Sequence, residues 1–140
     1  MLQYSHYQTP NFVPLIYLLK MDIVVKFNQF GGIVPSINGN EITMNESPYL
    51  IFLATAGMCS AVYVRAFLQQ RDMSLEGVSL TQQMKYNQQT NMVEGITILV
   101  NLPKSFPEKY NSAIKNVVAQ CPVKKHFETP PTMEVITNLD

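Results

Sequence analysis

Two cysteines are the residues of this 140-residue chain best suited to redox chemistry, and they lie 62 positions apart, at Cys59 and Cys121. No secretory signal is apparent, which argues against a structural disulfide framework, because reducing compartments keep thiols free. Free cysteine is also among the most buried residue types and packs as a small hydrophobe. The two residues are therefore either inert parts of the core or a working redox pair.

The charge balance bears on which partners the protein binds. Lys and Arg total 10 and Asp and Glu total 10, and no stretch concentrates either sign. Nucleic acid and anionic membranes both require a surplus of cations on one face, so we expect neither as a partner. Charged residues make up only 14% of the chain, whereas about 25% is usual. A chain so poor in charge is expected to bury part of its surface in an obligate oligomer.

The length fits a single domain over residues 1–140, in which residues 1–20 form an unassigned N-terminal extension. The most apolar run, residues 49–64, is shorter than the ~20 residues needed to cross a bilayer, which predicts a buried helix. Residues 12–19 are also apolar but follow no basic region and precede no cleavage site, so we expect a cytoplasmic protein. The cysteines and two histidines lack metal-ligand spacing, and we expect neither a metal nor a cofactor.

The first half of the chain predicts strands followed by a long helix. Residues 21–27 are rich in Ile and Val and predict a strand, and residues 33–37 and 41–44 flank Asn38-Gly39, which favours a type I′ hairpin turn. Ser47-Pro48 is typical of a helix start, with Ser47 as N-cap. The helix is expected to extend to Gln70 and to be buried on every side over its first two thirds. Gly57 inside it indicates a kink or a close backbone approach.

The second half predicts a hairpin, a second helix and a last strand. Residues 77–87 and 92–101 alternate in polarity and form the hairpin. Ser105 and Glu108 fit a capping box for a helix over residues 107–120, which Pro122 ends. Residues 133–137 alternate again and are expected to close the sheet. The order of elements is that of an α+β fold.

The segment from Ser47-Pro48 through the apolar Leu-Ala stretch to Cys59 resembles the central-helix motif of the OsmC/Ohr family. Cys121-Pro122-Val123 resembles the second cysteine of that family, which follows the second helix. The spacing of the cysteines and the order of the elements between them agree with the same pattern. The resemblance extends over about residues 21–137.

The resemblance implies a fold and an activity. Proteins of this family are intertwined homodimers in which two long apolar helices are central and each active site lies at the subunit interface. They reduce organic hydroperoxides in oxidative-stress defence. The resemblance implies that Cys59 attacks the peroxide and that Cys121 resolves the resulting sulfenic acid as a disulfide, which a cellular dithiol then reduces.

The chain departs from the family pattern around the reactive cysteine. Family peroxidases hold the thiolate with an arginine from the N-terminal strands and an acidic residue nine or ten positions before the cysteine. Those positions are Leu50 and Tyr49 here, and the first arginine is Arg65. The Tyr49 hydroxyl could donate a hydrogen bond to a thiolate or a peroxide, which makes it a candidate binding residue. The alternative for Tyr49 is a core aromatic at a dimer interface.

Other polar residues offer weaker substitutes for the missing charges. Lys20 and Lys26 lie on or beside the first strand, and surface lysines are usually solvated. Glu46 is too far along an unbroken helix to reach the thiol within one subunit. Arg65 is expected in a salt bridge at the helix end, and His126 is either solvated or a proton donor near Cys121.

Three functions are therefore compatible with the sequence. The first is a thiol-dependent peroxidase that uses Cys59 and Cys121. The second is a catalytically altered homodimer that binds a small apolar or thiol-bearing ligand at the subunit interface. The third is a structural homodimer without a site.

Overall fold

A five-stranded antiparallel sheet with one long helix across a face forms the core. The computed structural model describes residues 20–139. The strands lie in the order β3-β2-β1-β4-β5, and they are β1 (Ile23–Phe27), β2 (Ile33–Ile37), β3 (Asn40–Glu41), β4 (Ser79–Asn87) and β5 (Met92–Asn101). The helices are α1 (Pro48–Gln69), α2 (Asn111–Val118), which follows a 3-10 turn at Glu108–Tyr110, and α3 (Pro122–Glu128). The predicted α+β class is confirmed.

The turn between β2 and β3 forms as its two residues predict. Asn38 and Gly39 have φ angles of 50° and 78°, the left-handed values that a type I′ hairpin needs. Strand β3 is only two residues long, shorter than the predicted segment over residues 41–44. The turn therefore sets the hairpin, but the hairpin ends soon after it.

Helix α1 packs one of its faces on the sheet. Its buried residues recur at helical spacing and are Leu50, Leu53, Ala54, Ala56, Gly57, Ser60, Ala61, Val64, Phe67 and Leu68. By length and composition alone α1 could span a membrane, with a hydropathy of 1.7, but half of its apolar window is buried, as in the central helix of a folded domain. The opposite face carries Phe52 and Val62, 53% and 40% exposed. In one subunit, therefore, only the face of α1 that packs on the sheet has the burial that was expected on every side.

A buried glutamine fixes the position of α1 on the sheet. Gln82 of β4 is fully buried, and its Nε2 donates to the carbonyl oxygen of Leu53 at 2.8 Å. The backbone N–H of Gly57 donates to Oε1 of the same side chain at 2.8 Å. A Cβ at position 57 would lie 2.9 Å from that oxygen and 3.1 Å from Cγ2 of Val25. The close approach predicted for Gly57 is therefore present, and α1 continues through it unbroken.

Both predicted side-chain caps are wrong, although the helix beginning at Pro48 is confirmed. Ser47 is buried, and its hydroxyl makes no cap hydrogen bond and has no partner among residues 20–139. Ser105 and Glu108 form no capping box, because the chain enters a 3-10 turn with Pro107 at its N-cap. The predicted second helix is therefore split into this turn and α2, whose inner side buries Ile114.

The last predicted strand is wrong. Residues 133–137 have no strand hydrogen bonding, and Met133, Val135 and Ile136 are exposed. An alternating pattern forms a strand only where it pairs with a sheet edge, and this segment pairs with neither edge strand of the described sheet, β3 or β5. Helix α3, which the sequence did not predict, precedes this tail. The N-terminal extension, apart from Lys20, lies outside the described residues.

We expect Gly57→Ala to lower the free energy of unfolding by about 1–2 kcal/mol, because the new methyl group overpacks a buried site. The nearest atoms are held in place, since Gln82 is fully buried and makes two hydrogen bonds. Denaturant unfolding of the purified protein measures the change.

The matched control is Gly95→Ala, where the new Cβ would be 3.4 Å from Cβ of the exposed Lys85, an ordinary contact. Its effect should stay within about 0.5 kcal/mol. In a Gln82→Ala background the cost of Gly57→Ala should shrink, because the two residues are in direct contact. Equal losses of unfolding free energy in Gly57→Ala and Gly95→Ala would contradict the close approach of Gly57 to the Gln82 side chain.

Candidate active site

The fold brings Cys59 and Cys121 together. Cys59 lies in the middle of α1 and is half-buried, whereas Cys121 lies between α2 and α3 and is fully buried. Both are free thiols, and the side chain of Cys121 lies close enough to Cys59 to raise its pKa. The hairpin and α2, which separate the two residues in sequence, therefore return the chain to the middle of α1.

Burial is the main influence on the reactivity of Cys59. Desolvation raises the pKa of this thiol above its usual range, because a thiolate loses more hydration than a thiol. The hydrogen bond and the charge interaction with Cys121 raise the pKa of Cys59 further. The backbone N–H of Val123, in the first turn of α3, bonds the sulfur and lowers the pKa in part. A peroxide would thus meet a thiol that is largely protonated at neutral pH.

The two arginines of the chain make their contacts with other groups than the thiol. Arg65 donates from Nη1 to the carbonyl oxygen of Gly31 at 2.8 Å, so the expected salt bridge at the helix end is wrong. The guanidinium carbon of Arg71 lies 3.7 Å from the ring centroid of Phe67. These are the only arginines in the sequence. Because α1 is unbroken, it has no internal N-terminus at Cys59, and the helix N-terminus that meets the sulfur is that of α3, through the N–H of Val123.

The structure places Tyr49 away from the cysteine pair within the same subunit. Ten residues of helix separate Tyr49 from Cys59, which corresponds to a rise of ~15 Å. The Tyr49 hydroxyl accepts a hydrogen bond from the backbone N–H of Val93 at 3.3 Å. Nδ1 of His126 lies 2.7 Å from the carbonyl oxygen of Pro122, within α3. In one subunit, neither Tyr49 nor His126 contributes to the pKa shift of Cys59.

An apolar groove of about 520 Å³ lies between β5 and the three helices, and its lining includes sequence neighbours of the cysteines but neither cysteine itself. Its floor is the inner face of β5, and α1, α2 and α3 form its walls. Ala56 and Ser60 contribute the α1 wall, next to Cys59, and Ala119 lies two positions before Cys121. The volume and the apolar lining are typical of a site for a small organic molecule. The apolar part of a substrate that approaches Cys59 could occupy this space.

Helix α3 supplies two contacts that sequence reasoning missed. Val123 provides the N–H on the sulfur of Cys59, and the Phe127 ring lies 5.0 Å from that of Phe52, at 31°. The available signal was Pro122, which can open a helix as readily as it ends one, because the first helical position needs no N–H. Pro122 occupies the first turn of α3.

The side chains of residues 20–139 include no cluster of three or more His, Cys, Asp or Glu that could hold a metal ion.

Comparison with known families agrees with this arrangement. The family of OsmC-like proteins matches residues 43–136, more than half of the chain, and the protein belongs to this family. The matched region contains both cysteines and all three helices. The family is associated with peroxidase activity and oxidative stress. Neither the curated proteins nor the solved structures gave a match to the chain.

We expect alkylation of Cys59 by iodoacetamide to be slow at neutral pH and to keep accelerating above pH ~8.5, the ordinary thiol pKa. This pH dependence follows from the raised pKa of Cys59, because the thiolate fraction grows only as the pH approaches that pKa. Cys121→Ala removes two influences that raise this pKa, so its rate profile should shift to lower pH. Mass spectrometry of the labelled peptide identifies the residue that reacts.

Cys121→Ser is the matched control for this measurement. Its hydroxyl can still hydrogen-bond Cys59, so we expect a smaller shift than in Cys121→Ala. A wild-type profile that levels off well below pH ~8.5, or an identical profile in Cys121→Ala, would contradict the electrostatics of the pair.

Proposed function

We propose that the protein is a thiol-dependent peroxidase that reduces organic hydroperoxides with Cys59 and Cys121. The observation that carries this proposal is the proximity of the two side chains, which come from distant parts of the chain and interact in the fold. Two inert core cysteines have no need to meet, whereas a sulfenic acid is resolved only by a thiol within bonding reach.

The reaction balances in three steps. The Cys59 thiolate attacks one oxygen of the hydroperoxide and breaks the O–O bond, which leaves Cys59 as a sulfenic acid and releases an alkoxide that takes up a proton to become the alcohol. The sulfur of Cys121 then attacks the Cys59 sulfur and displaces hydroxide, which leaves as water. A cellular dithiol reduces the resulting disulfide and is itself oxidised to a disulfide, and the cytoplasmic location expected from the sequence would provide such dithiols.

Two features of the site support this assignment, and a third sets the pH dependence that it predicts. The N–H of Val123 bonds the sulfur that must become negative. The apolar groove beside Ser60 can hold the organic part of a hydroperoxide. The raised pKa of Cys59 makes the first step the slow one at neutral pH, so turnover should increase as the pH rises toward that pKa.

A second candidate function is favoured by the raised pKa of Cys59 together with the groove. In this candidate the apolar groove binds a small apolar or thiol-bearing ligand, and Cys59 remains weakly reactive. The described residues offer neither an acidic group nor an arginine at the thiol, which is consistent with a binding role. The two candidates differ in whether an organic hydroperoxide oxidises the cysteine pair.

The active form in this proposal is a homodimer joined along the open face of α1. That face carries exposed apolar side chains at Phe52 and Val62, and the chain has few charges to keep such a face solvated. A second copy that covers the rest of this face would lie beside α3, which covers the stretch of α1 between Phe52 and Cys59. Groups from the partner would then lie next to the site.

Oxidation by cumene hydroperoxide tests the peroxidase directly. One equivalent should remove both thiols of the reduced wild type, form the Cys59–Cys121 disulfide and release one equivalent of the alcohol. Cys121→Ser should stop at a sulfenic acid on Cys59 that dimedone captures, and Cys59→Ser should leave Cys121 unoxidised. If the wild-type thiols survive while Cys59 still reacts with iodoacetamide, the peroxidase is excluded and the binding role is favoured.

A substitution that introduces a charge on the open face of α1 tests whether the protein dimerises through that face. We expect Val62→Glu, at a position 40% exposed in one subunit, to weaken or abolish dimerisation, because a carboxylate would have to be buried unpaired. Light scattering coupled to gel filtration gives the mass. Met44→Glu, at a position 84% exposed in the loop before α1, is the control and should leave the dimer intact. A monomeric wild type would exclude the dimer.

A further inference from the structure

Helix α3 lies along the side of α1 that carries the reactive thiol. The N–H of Val123 at one end of α3 bonds the sulfur of Cys59, and Phe127 near the other end stacks on Phe52 with ring centroids 5.0 Å apart. Phe52 and Cys59 are seven positions apart and therefore lie on the same side of α1, two turns from each other. The two contacts place α3 over the stretch of α1 between Phe52 and Cys59.

The attachment of α3 to the rest of the domain is slight. None of its seven residues is buried. Its other side-chain hydrogen bonds stay within α3 or reach only the end of α2: Lys124–Glu128, His126–Pro122 and Lys125–Gln120. The residues that flank α3, Cys121 and Thr129, both have non-helical backbone angles. A segment with so few buried contacts opens at a low cost in free energy.

Phe127 also belongs to the apolar groove. It lines that groove together with Lys124 and Glu128 of α3, across from Ala56 and Ser60 of α1. The same ring therefore holds α3 against α1 and forms part of the groove wall. Its truncation would widen the groove and remove the contact of α3 with Phe52.

We propose that Phe127 is a specificity-determining residue, whose contact with Phe52 keeps α3 closed over Cys59 and thereby sets the size of the molecules that reach the thiol. The inference rests on the proposed function for the identity of the substrate, a hydroperoxide with an organic group of limited bulk. The closure of α3 over Cys59 does not depend on the substrate. Alkylation rates of the thiol measure it without any peroxide.

The test compares two alkylating reagents of different size, iodoacetamide and N-(1-pyrenyl)maleimide, on reduced protein, with mass spectrometry to follow Cys59. Both react with the same thiolate, so the ratio of their rates cancels most of any change in its ionisation. We expect Phe127→Ala to increase the ratio of the pyrenylmaleimide rate to the iodoacetamide rate by about tenfold, the order of magnitude of a lost aromatic pair. The iodoacetamide rate itself should change little.

Phe127→Leu retains an apolar side chain and should shift the ratio less than Phe127→Ala does. Phe30→Ala, in the exposed turn between β1 and β2, is the matched control and should leave the ratio unchanged. An unchanged ratio in Phe127→Ala, or an equal increase with both reagents, would overturn the proposal. If Phe127→Ala fails to fold, Phe127→Leu provides the same test with a smaller expected increase.

A second arm separates this inference from the proposed function. The same variants are assayed with tert-butyl and cumene hydroperoxide, and Phe127→Ala should favour the larger cumene compound relative to wild type. If neither hydroperoxide is reduced but the alkylation ratio shifts, the closure of α3 by Phe127 is supported and the peroxidase is excluded. If both are reduced with an unchanged preference and an unchanged alkylation ratio, the peroxidase is supported and the closure of α3 by Phe127 is excluded.

Discussion

The hydrogen bonds between the side chain of Gln82 and the backbone of α1 set the geometry of the whole domain. A buried carboxamide without partners would be costly, and this one satisfies its donor at Leu53 and its acceptor at Gly57 within a single helical turn. An apolar helix on an apolar sheet could otherwise slide or rotate with little penalty. The carboxamide removes that freedom, and glycine is the residue that leaves space for it.

The rotation of α1 fixed in this way determines where the chemistry can occur. Cys59 follows Gly57 by two residues and points toward the junction of α2 and α3, where Cys121 is buried. The two thiols are already in contact, which favours condensation of a sulfenic acid with its neighbour. Formation of the thiolate is disfavoured by the same burial. One arrangement thus assists the second step of a two-cysteine reaction at the expense of the first.

Local signals in the sequence predicted local structure well. Asn38-Gly39 adopts the left-handed turn, α1 begins at Pro48, and β5 has the predicted bounds, because each depends on neighbouring residues alone. The meeting of Cys59 and Cys121 followed from a family resemblance. The partners of Gln82 could not be predicted, since a glutamine in an alternating strand pattern gives no sign of which backbone groups it will meet. The strand expected over residues 133–137 failed for a related reason, because its pairing depends on an edge outside the segment.

The short helix α3 carries contacts to the thiol although it contributes no buried side chain of its own. The segment from Pro122 to Glu128 is therefore nearly independent of the folding core, which lies in the sheet, α1 and Ile114 of α2. Such a division allows this part of the gene to accumulate substitutions without loss of the folded domain. Protein engineers could accordingly randomise the segment as a cassette, and the solubility and yield of the variants should stay close to those of the parent.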